Sequence, residues 1–385
     1  MVKGSSALGS KKLVFQEVDV NPNEIQISNK KVSSLKTFSN SKYCRVWLII
    51  LLVLIVCMVV VGGMTRLTDS GLSIVEWKPV TGILLPLSNA KWVVEFEKYK
   101  VTPEFLLVNM EMTLDAFKTI YLWEWGHRQL GRVIGLVWFV GFFWLLITRN
   151  IPDGWKGKFF IIGVLIGFQG LVGWWMVYSG LMAEMTDVAS YRLATHLGMA
   201  FCIVGLILWF ILLLERKAEA LMLGRRNRDK TLSIYMNLFL VALFFQIILG
   251  ALVAGIDAGT AYTDWPFMAG EIFPSDYLAF DGFLGNFLEN PAAVQFNHRV
   301  SAYALTLIGI LTWLRSRKSP IKFLRNCHSF LLLVLSSQVV LGIVTVIYGA
   351  PYQIAILHQL LGLALWLVSV WVRFETLFPP RQVIV

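Results

Sequence analysis

Residues 45–64 read RVWLIILLVLIVCMVVVGGM. One charge, Arg45, stands at the edge of a run that is otherwise apolar or glycine. A run of roughly 20 such residues crosses a bilayer as a helix, because the backbone must satisfy its own hydrogen bonds in hydrocarbon. Seven more runs follow, at about 127–148, 159–178, 192–214, 232–254, 298–314, 328–348 and 354–373. The expected fold class is an all-α polytopic membrane protein with eight transmembrane helices.

Composition agrees with that class. The chain has 385 residues, 57% of them hydrophobic and 15% charged, with a mean hydropathy of +0.66. Soluble chains average about 25% charged residues. Disorder, coiled coil, collagen and disulfide-rich secreted scaffolds are excluded. The net charge of +10 raises nucleic acid as a partner, but the basic residues collect in loops on one side, which is the bilayer signature. No nucleic-acid partner is expected. Cys44, Cys57, Cys202 and Cys327 are far apart and form no C-x-x-C, so neither a disulfide nor a zinc site is expected. The polar N-terminus predicts no cleaved secretory signal.

The loops set the orientation. The segments 149–158, 215–230 and 315–325 are rich in Lys and Arg. The segment 255–294 has neither and carries Asp257, Asp264, Glu271, Asp276, Asp281 and Glu289. The basic side is cytoplasmic. The tail 1–44 and the tail 374–385 then lie in the cytoplasm, with a basic linker at 215–231. The long loops at about 65–125 and 255–295 face outward. A mitochondrial presequence competes for the tail, and Glu17, Asp19 and Glu24 argue against it.

The chain repeats itself. GGMTRLTDSG (62–71) parallels GALVAGIDAG (250–259), and WGHRQLG (125–131) parallels FNHRVSA (296–302). FQGLVGWWMVYSG (168–180) parallels SQVVLGIVTVIYG (337–349), and ATHLGMA (194–200) parallels ILHQLLG (356–362). Each half has four spans, so the repeat is parallel, with a pseudo-two-fold axis along the membrane normal. Two four-helix bundles are expected, at 45–214 and 232–373.

Four of the five histidines fall at the outer start of an even-numbered span: His127, His196, His298 and His358. Ionisable residues in spans are rare and mark function. The competing reading is a neutral imidazole bonded to a backbone carbonyl or a headgroup. In an up-down bundle the second and fourth helices sit diagonally across the core, so His127 faces His196 and His298 faces His358. Opposed imidazoles between apolar walls suit the axial positions of a haem. No carboxylate or cysteine cluster accompanies them, which disfavours zinc and di-iron sites. Arg128 and Arg299 follow the first histidine of each pair. They could meet haem propionates or simply snorkel to the interface. His328 has no repeat partner and is read as non-functional.

The halves differ at one place. Glu124 lies a turn before His127, and Gln295 lies a turn before His298. A carboxylate can carry a proton or stabilise a developing positive charge, and an amide cannot. A division of labour explains the difference, with chemistry in one half and electron transfer in the other. An ordinary interfacial carboxylate is the competing reading.

The stretches TRLTDSGLSIVEW, FEKYKVTPEF, MTLDAFKTIYLWEWGHRQLGR, GIDAG and ENPAAVQFNHR resemble haem A synthase, in its mitochondrial and alphaproteobacterial branch, from about residue 45 to 373. The pairing of E-x-x-H-R with Q-x-x-H-R carries the resemblance. It implies an oxidoreductase acting on a methyl group: the C8 methyl of haem O is hydroxylated twice and loses water to give the formyl of haem A, destined for cytochrome oxidase. It implies that His127 and His196 flank the substrate haem O, that His298 and His358 ligate a haem B cofactor, and that Glu124 is catalytic. It further implies a bacterial inner membrane, or a mitochondrial one in a eukaryote, with a haem O synthase and an unidentified electron donor as partners. A homo-oligomer is compatible with all of this. Two other classes compete. A di-haem electron carrier of the cytochrome b kind explains the histidines but not the Glu124/Gln295 difference. A parallel-repeat transporter calls for broken helices or midplane charges.

Overall fold

The computed structural model describes residues 41–78, 81–182 and 185–380. The tail expected over 1–44 lies outside these residues except for its end, which is already helical, and 381–385 lie outside as well. Twelve α-helices carry the described chain. They are α1 (Ser41–Leu67), α2 (Asn89–Tyr99), α3 (Pro103–Leu107), α4 (Leu114–Ile147), α5 (Lys156–Gly180), α6 (Ser190–Glu215), α7 (Ala218–Asn227), α8 (Lys230–Gly255), α9 (Phe283–Glu289), α10 (Pro291–Ser316), α11 (Lys322–Ile347) and α12 (Tyr352–Leu377).

Among the described residues, seven helices are long and apolar enough to cross a membrane: α1, α4, α5, α6, α8, α11 and α12. Their outer faces carry exposed apolar side chains, such as Leu136, Phe139, Val140 and Phe143 on α4. Water does not favour such a face, and lipid does. Helix α10 is 26 residues long, yet its opening PAAVQFNHR is too polar for the same apolar measure.

The packing is a ring in each half. Helix α1 lies against α4 and α6, and α5 lies against the same two. Helix α8 likewise lies against α10 and α12, as does α11. The halves meet where α6 touches α8 and α12, and where α12 touches α1. Polar ties reinforce that seam. The Trp366 indole donates to the Phe201 carbonyl at 2.8 Å, and Gln359 donates to the Val59 carbonyl at 2.9 Å. Arg66 pairs with Asp257 at 2.7 Å and with Asp69 at 2.8 Å. Asp69 and Asp257 hold the same place in the two repeats, and both adopt a left-handed backbone, with φ of 46° and 51°. That conformation ends the helix, and Asp tolerates it better than most residues.

Three helices begin well before the sequence reading placed them: α10 at Pro291 rather than 298, α11 at Lys322 rather than 328, and α4 most of all. The second span was expected from residue 127, but α4 begins at Leu114 and runs for 34 residues. At about 1.5 Å per residue it is roughly 50 Å long, well beyond a bilayer core of about 30 Å. Asp115, Lys118 and Glu124 make its start look like loop. Thr113 caps it by accepting from the Ala116 N–H. Phe117 and Tyr121 then pack with Ile74, Phe96, Tyr99 and Phe105 into an apolar cluster under α2 and α3. The expected linker 215–231 also contains a helix, α7.

Glu104 sits beside this outer cluster, 4% exposed, with Oε2 buried and unpartnered. Burial pushes its carboxyl up to about 8, aided by the charges of Asp187, Glu124 and Asp69 and opposed by a bond to Tyr99. The folded loop therefore holds a proton that an unfolded chain releases near pH 4.3. Its stabilising contribution is complete below that pH and is lost as pH rises through about 8. Thermal unfolding of detergent-purified protein should be later at pH 6 than at pH 9, and Glu104→Gln should flatten that difference. An unchanged slope in the variant would rule Glu104 out as its source.

Candidate functional site

The four histidines share one local construction. Three sit two turns or less into their helices: His196 on α6, His298 on α10 and His358 on α12. His127 lies thirteen residues beyond the first residue of α4, because that helix begins early. Each half-buried ring rests on a glycine of the preceding long helix. A Cβ on Gly62 would lie 3.3 Å from His127 Cε1, and on Gly250 3.1 Å from His298 Cε1. On Gly173 and Gly342 it would lie 2.9 Å from the Cε1 of His196 and His358. At Gly173 and Gly342 this is closer than side-chain carbons approach, and at Gly62 and Gly250 an added carbon would press the ring aside by a few tenths of an ångström.

A glutamine stands one turn before three of these glycines. The side-chain amide of Gln169 donates to the His196 carbonyl at 2.9 Å and lies 3.2 Å from its Nδ1. Gln246 does the same for His298, at 3.0 Å to each atom. Gln338 does so for His358, at 3.1 and 3.3 Å. In α1 the corresponding residue is Met58, which packs near Gly131, a turn beyond His127. These glutamines were missed in the sequence. Their signal is the spacing Q-x-x-x-G at 169–173, 246–250 and 338–342, against M-x-x-x-G at 58–62.

His127 and His196 stand on α4 and α6 of the first ring, and His298 and His358 on α10 and α12 of the second. Among the described residues no group of three or more His, Cys, Asp or Glu could hold a bare metal ion. A structural or catalytic zinc ion takes three or four protein ligands. Two imidazoles suffice only for a metal that brings its other ligands with it, and haem is such a group. The donor set of each pair fits it. His328, by contrast, spends Nδ1 on the Leu324 carbonyl at 2.8 Å and has Thr376 3.5 Å from Nε2.

Glu124 is buried and engaged on both oxygens. Oε2 accepts from the Ser73 hydroxyl and the Ile74 N–H, each at 2.7 Å. Oε1 accepts from Arg128 at 2.6 Å. Arg128 also donates to the carbonyls of Ile74 and Glu76, at 2.9 and 3.1 Å. In the other half Arg299 donates to the carbonyls of Tyr262, Asp264 and Phe267, all at 2.9 Å. Gln295 donates to Tyr262 O at 3.0 Å. Each arginine thus clamps an outer loop onto its histidine-bearing helix. The Glu124/Gln295 difference changes the loop bond from accepting to donating. Arg192, passed over in the sequence, stands one turn before His196. It donates to the Trp175 carbonyl at 2.8 Å and lies over the Trp175 ring at 4.5 Å, and the second half has Ile354 in its place.

Residues 45–370 match the model of the cytochrome oxidase assembly family COX15-CtaA. The chain belongs to this family. Among its relatives is the "Heme A synthase" of Ruegeria sp. (strain TM1040), 52% identical over 87% of this chain and 88% of that protein. The "Heme A synthase" of Roseobacter denitrificans is 49% identical over 97% and 98%, and that of Paracoccus denitrificans 49% over 87% and 88%. Membership in COX15-CtaA agrees with the resemblance drawn from the E-x-x-H-R and Q-x-x-H-R motifs.

Glu124→Gln keeps the shape but turns an N–H pair toward donors. The Ser73–Ile74 corner should loosen, at a cost of about 1–3 kcal/mol for an unsatisfied buried group. Hydrogen exchange over residues 70–78 should then rise while residues 258–270 stay protected. Equal protection in both proteins would deny Glu124 this anchoring role.

Proposed function

We propose that this chain is a haem A synthase, an oxidoreductase that converts the C8 methyl of haem O to a formyl group. The observation that carries the reading is the pair of two-imidazole sites, each set against glycine, in a chain whose near relatives bear that name. In this reading α10 crosses the membrane as the eighth span, and the two helix rings are bundles related by a pseudo-two-fold axis. The matching neighbour pattern and the matched left-handed Asp69 and Asp257 support it. Both termini face the cytoplasm, in a bacterial inner membrane or its mitochondrial counterpart.

His127 and His196 hold the substrate haem O, and His298 and His358 hold a haem B cofactor. A haem supplies the redox metal that oxidation of an unactivated C–H requires. The protein supplies position and charge. Glu124 is the carboxylate nearest the substrate pair along α4, placed to take a proton from water or to stabilise developing positive charge. Ser73, Ile74 and Arg128 fix its orientation. Gln295 cannot take a proton, which suits a half devoted to electron transfer. Arg128 and Arg299 hold the loops over the two sites and keep further N–H hydrogens for propionates. Haem O synthase supplies the substrate, and a separate donor or acceptor exchanges electrons with the haem B half.

Expression in cells that make haem O, followed by pyridine extraction of the purified protein, tests this. The wild type should yield haem A with haem B. Glu124→Gln should keep its haem and lose haem A formation by about 10²–10⁴-fold, the usual worth of a positioned proton carrier. His298→Ala and His358→Ala should lose haem B. A wild type that yields haem B alone is an electron carrier, not a synthase.

A further inference from the structure

The amide partners of the histidines are unequal, and the inequality falls on one ring. His196, His298 and His358 each have a glutamine amide 3.0–3.3 Å from Nδ1, and for His298 and His358 the same nitrogen also lies 3.3 Å from Nε2. His127 has Met58 at the matching place. Its glycine contact is also the loosest of the four, at 3.3 Å against 2.9–3.1 Å. We infer that the first bundle holds its porphyrin iron by one anchored imidazole, His196, and one yielding imidazole, His127, and that Met58 is the positioning residue that makes His127 yield. This rests on the reading of the histidine pairs as axial ligands.

An imidazole that binds iron through Nε2 keeps its proton on Nδ1. A hydrogen-bond acceptor at Nδ1 then fixes the ring's rotation and strengthens it as a ligand. A glutamine can be that acceptor through Oε1, and its amide can turn to match the ring's tautomer. Gln169 and Gln338 have a buried Oε1 with no partner, so the turn gives both that oxygen and the Nδ1–H a mate, whereas Gln246 Oε1 already accepts from the Ser301 hydroxyl, which also reaches the His298 carbonyl at 3.3 Å. The turn gives up the bond to the histidine carbonyl, which is of the kind that still accepts within its helix. A thioether is only a weak acceptor and has no donor. Met58 therefore fixes neither the rotation nor the tautomer of His127. The consequence suits the two halves. A cofactor should stay, and the second bundle has two amide-held rings. A substrate must enter, expose a coordination position and leave as product, and the first bundle has one.

The test uses full-length protein in detergent, saturated with haem B as the probe. Two readings are taken: the fraction of reduced haem that binds carbon monoxide, and the rate of haem transfer to apomyoglobin. The wild type should show one carbon-monoxide-reactive haem that transfers quickly and one inert haem that transfers slowly. Met58→Gln should abolish most of the reactivity and slow the fast transfer by about 10–100-fold, the usual effect of an outer partner on a ligating histidine. Met58→Leu should behave as wild type, which separates the amide from mere packing. Gln246→Met should do the reverse and make the second haem reactive. Unchanged reactivity and transfer in both Met58→Gln and Gln246→Met, with haem still bound, overturns the inference. A misfolded Met58→Gln leaves the decision to Gln246→Met alone. A wild type that takes up no haem, or whose spectrum ignores His127→Ala and His298→Ala, overturns the axial-ligand reading instead.

Discussion

The structure depends on the close approach of two helices at a glycine. In each half an odd long helix offers a residue without a side chain, and the next helix lays an imidazole into that space. The approach does two things at once. It brings backbones near enough for dispersion contacts, the force that remains between helices in lipid, where hydrophobic burial offers little. It also stops the ring from rotating freely. Gly62, Gly173, Gly250 and Gly342 are therefore both packing residues and site residues. The glutamines extend the same contact by one turn.

Much of this was legible in the sequence. The helices lie where the apolar runs lie, because hydrophobicity over about 20 residues is a long and redundant signal. The histidines stood out because polar residues are scarce in such runs. Three things were less plain. The start of α4 was hidden by Asp115, Lys118 and Glu124. Its helical signal was the spacing of Phe117 and Tyr121, whose partners Phe96 and Tyr99 come from another part of the loop. The glutamines lay inside quoted motifs, but small-residue packing drew the reading to the glycines beside them. The partners of Arg128 and Arg299 are backbone carbonyls some fifty and thirty-five residues away, and no local pattern announces such a contact.

The two outer loops are held alike. Arg128 and Arg299 perform one task with carbonyls from different sequences. Beneath that common clamp, a carboxylate in one half and an amide in the other reverse the direction of a single hydrogen bond. Met58 against Gln246 is a second such change, and Arg192 against Ile354 a third. Two of these lie a turn before an imidazole-bearing position and the other a turn before the glycine beneath one, while the surrounding helix neighbours are the same in both halves.

The seam between the halves carries a further meaning. Trp366, Gln359 and Arg66 reach across it from membrane-spanning helices, and Ser190 adds bonds to Leu288 O and Glu289 at 2.8 and 3.0 Å. None of these bonds lies in the chain segment that joins the halves. That segment adds ties of its own: Arg216 pairs with Glu375 and donates to the Phe378 carbonyl, and Asp229 pairs with Arg315 at 2.7 Å. Two separate polypeptides could still recognise each other through the ties between their helices, while the fused form adds those of the joining segment and keeps the halves in equal number.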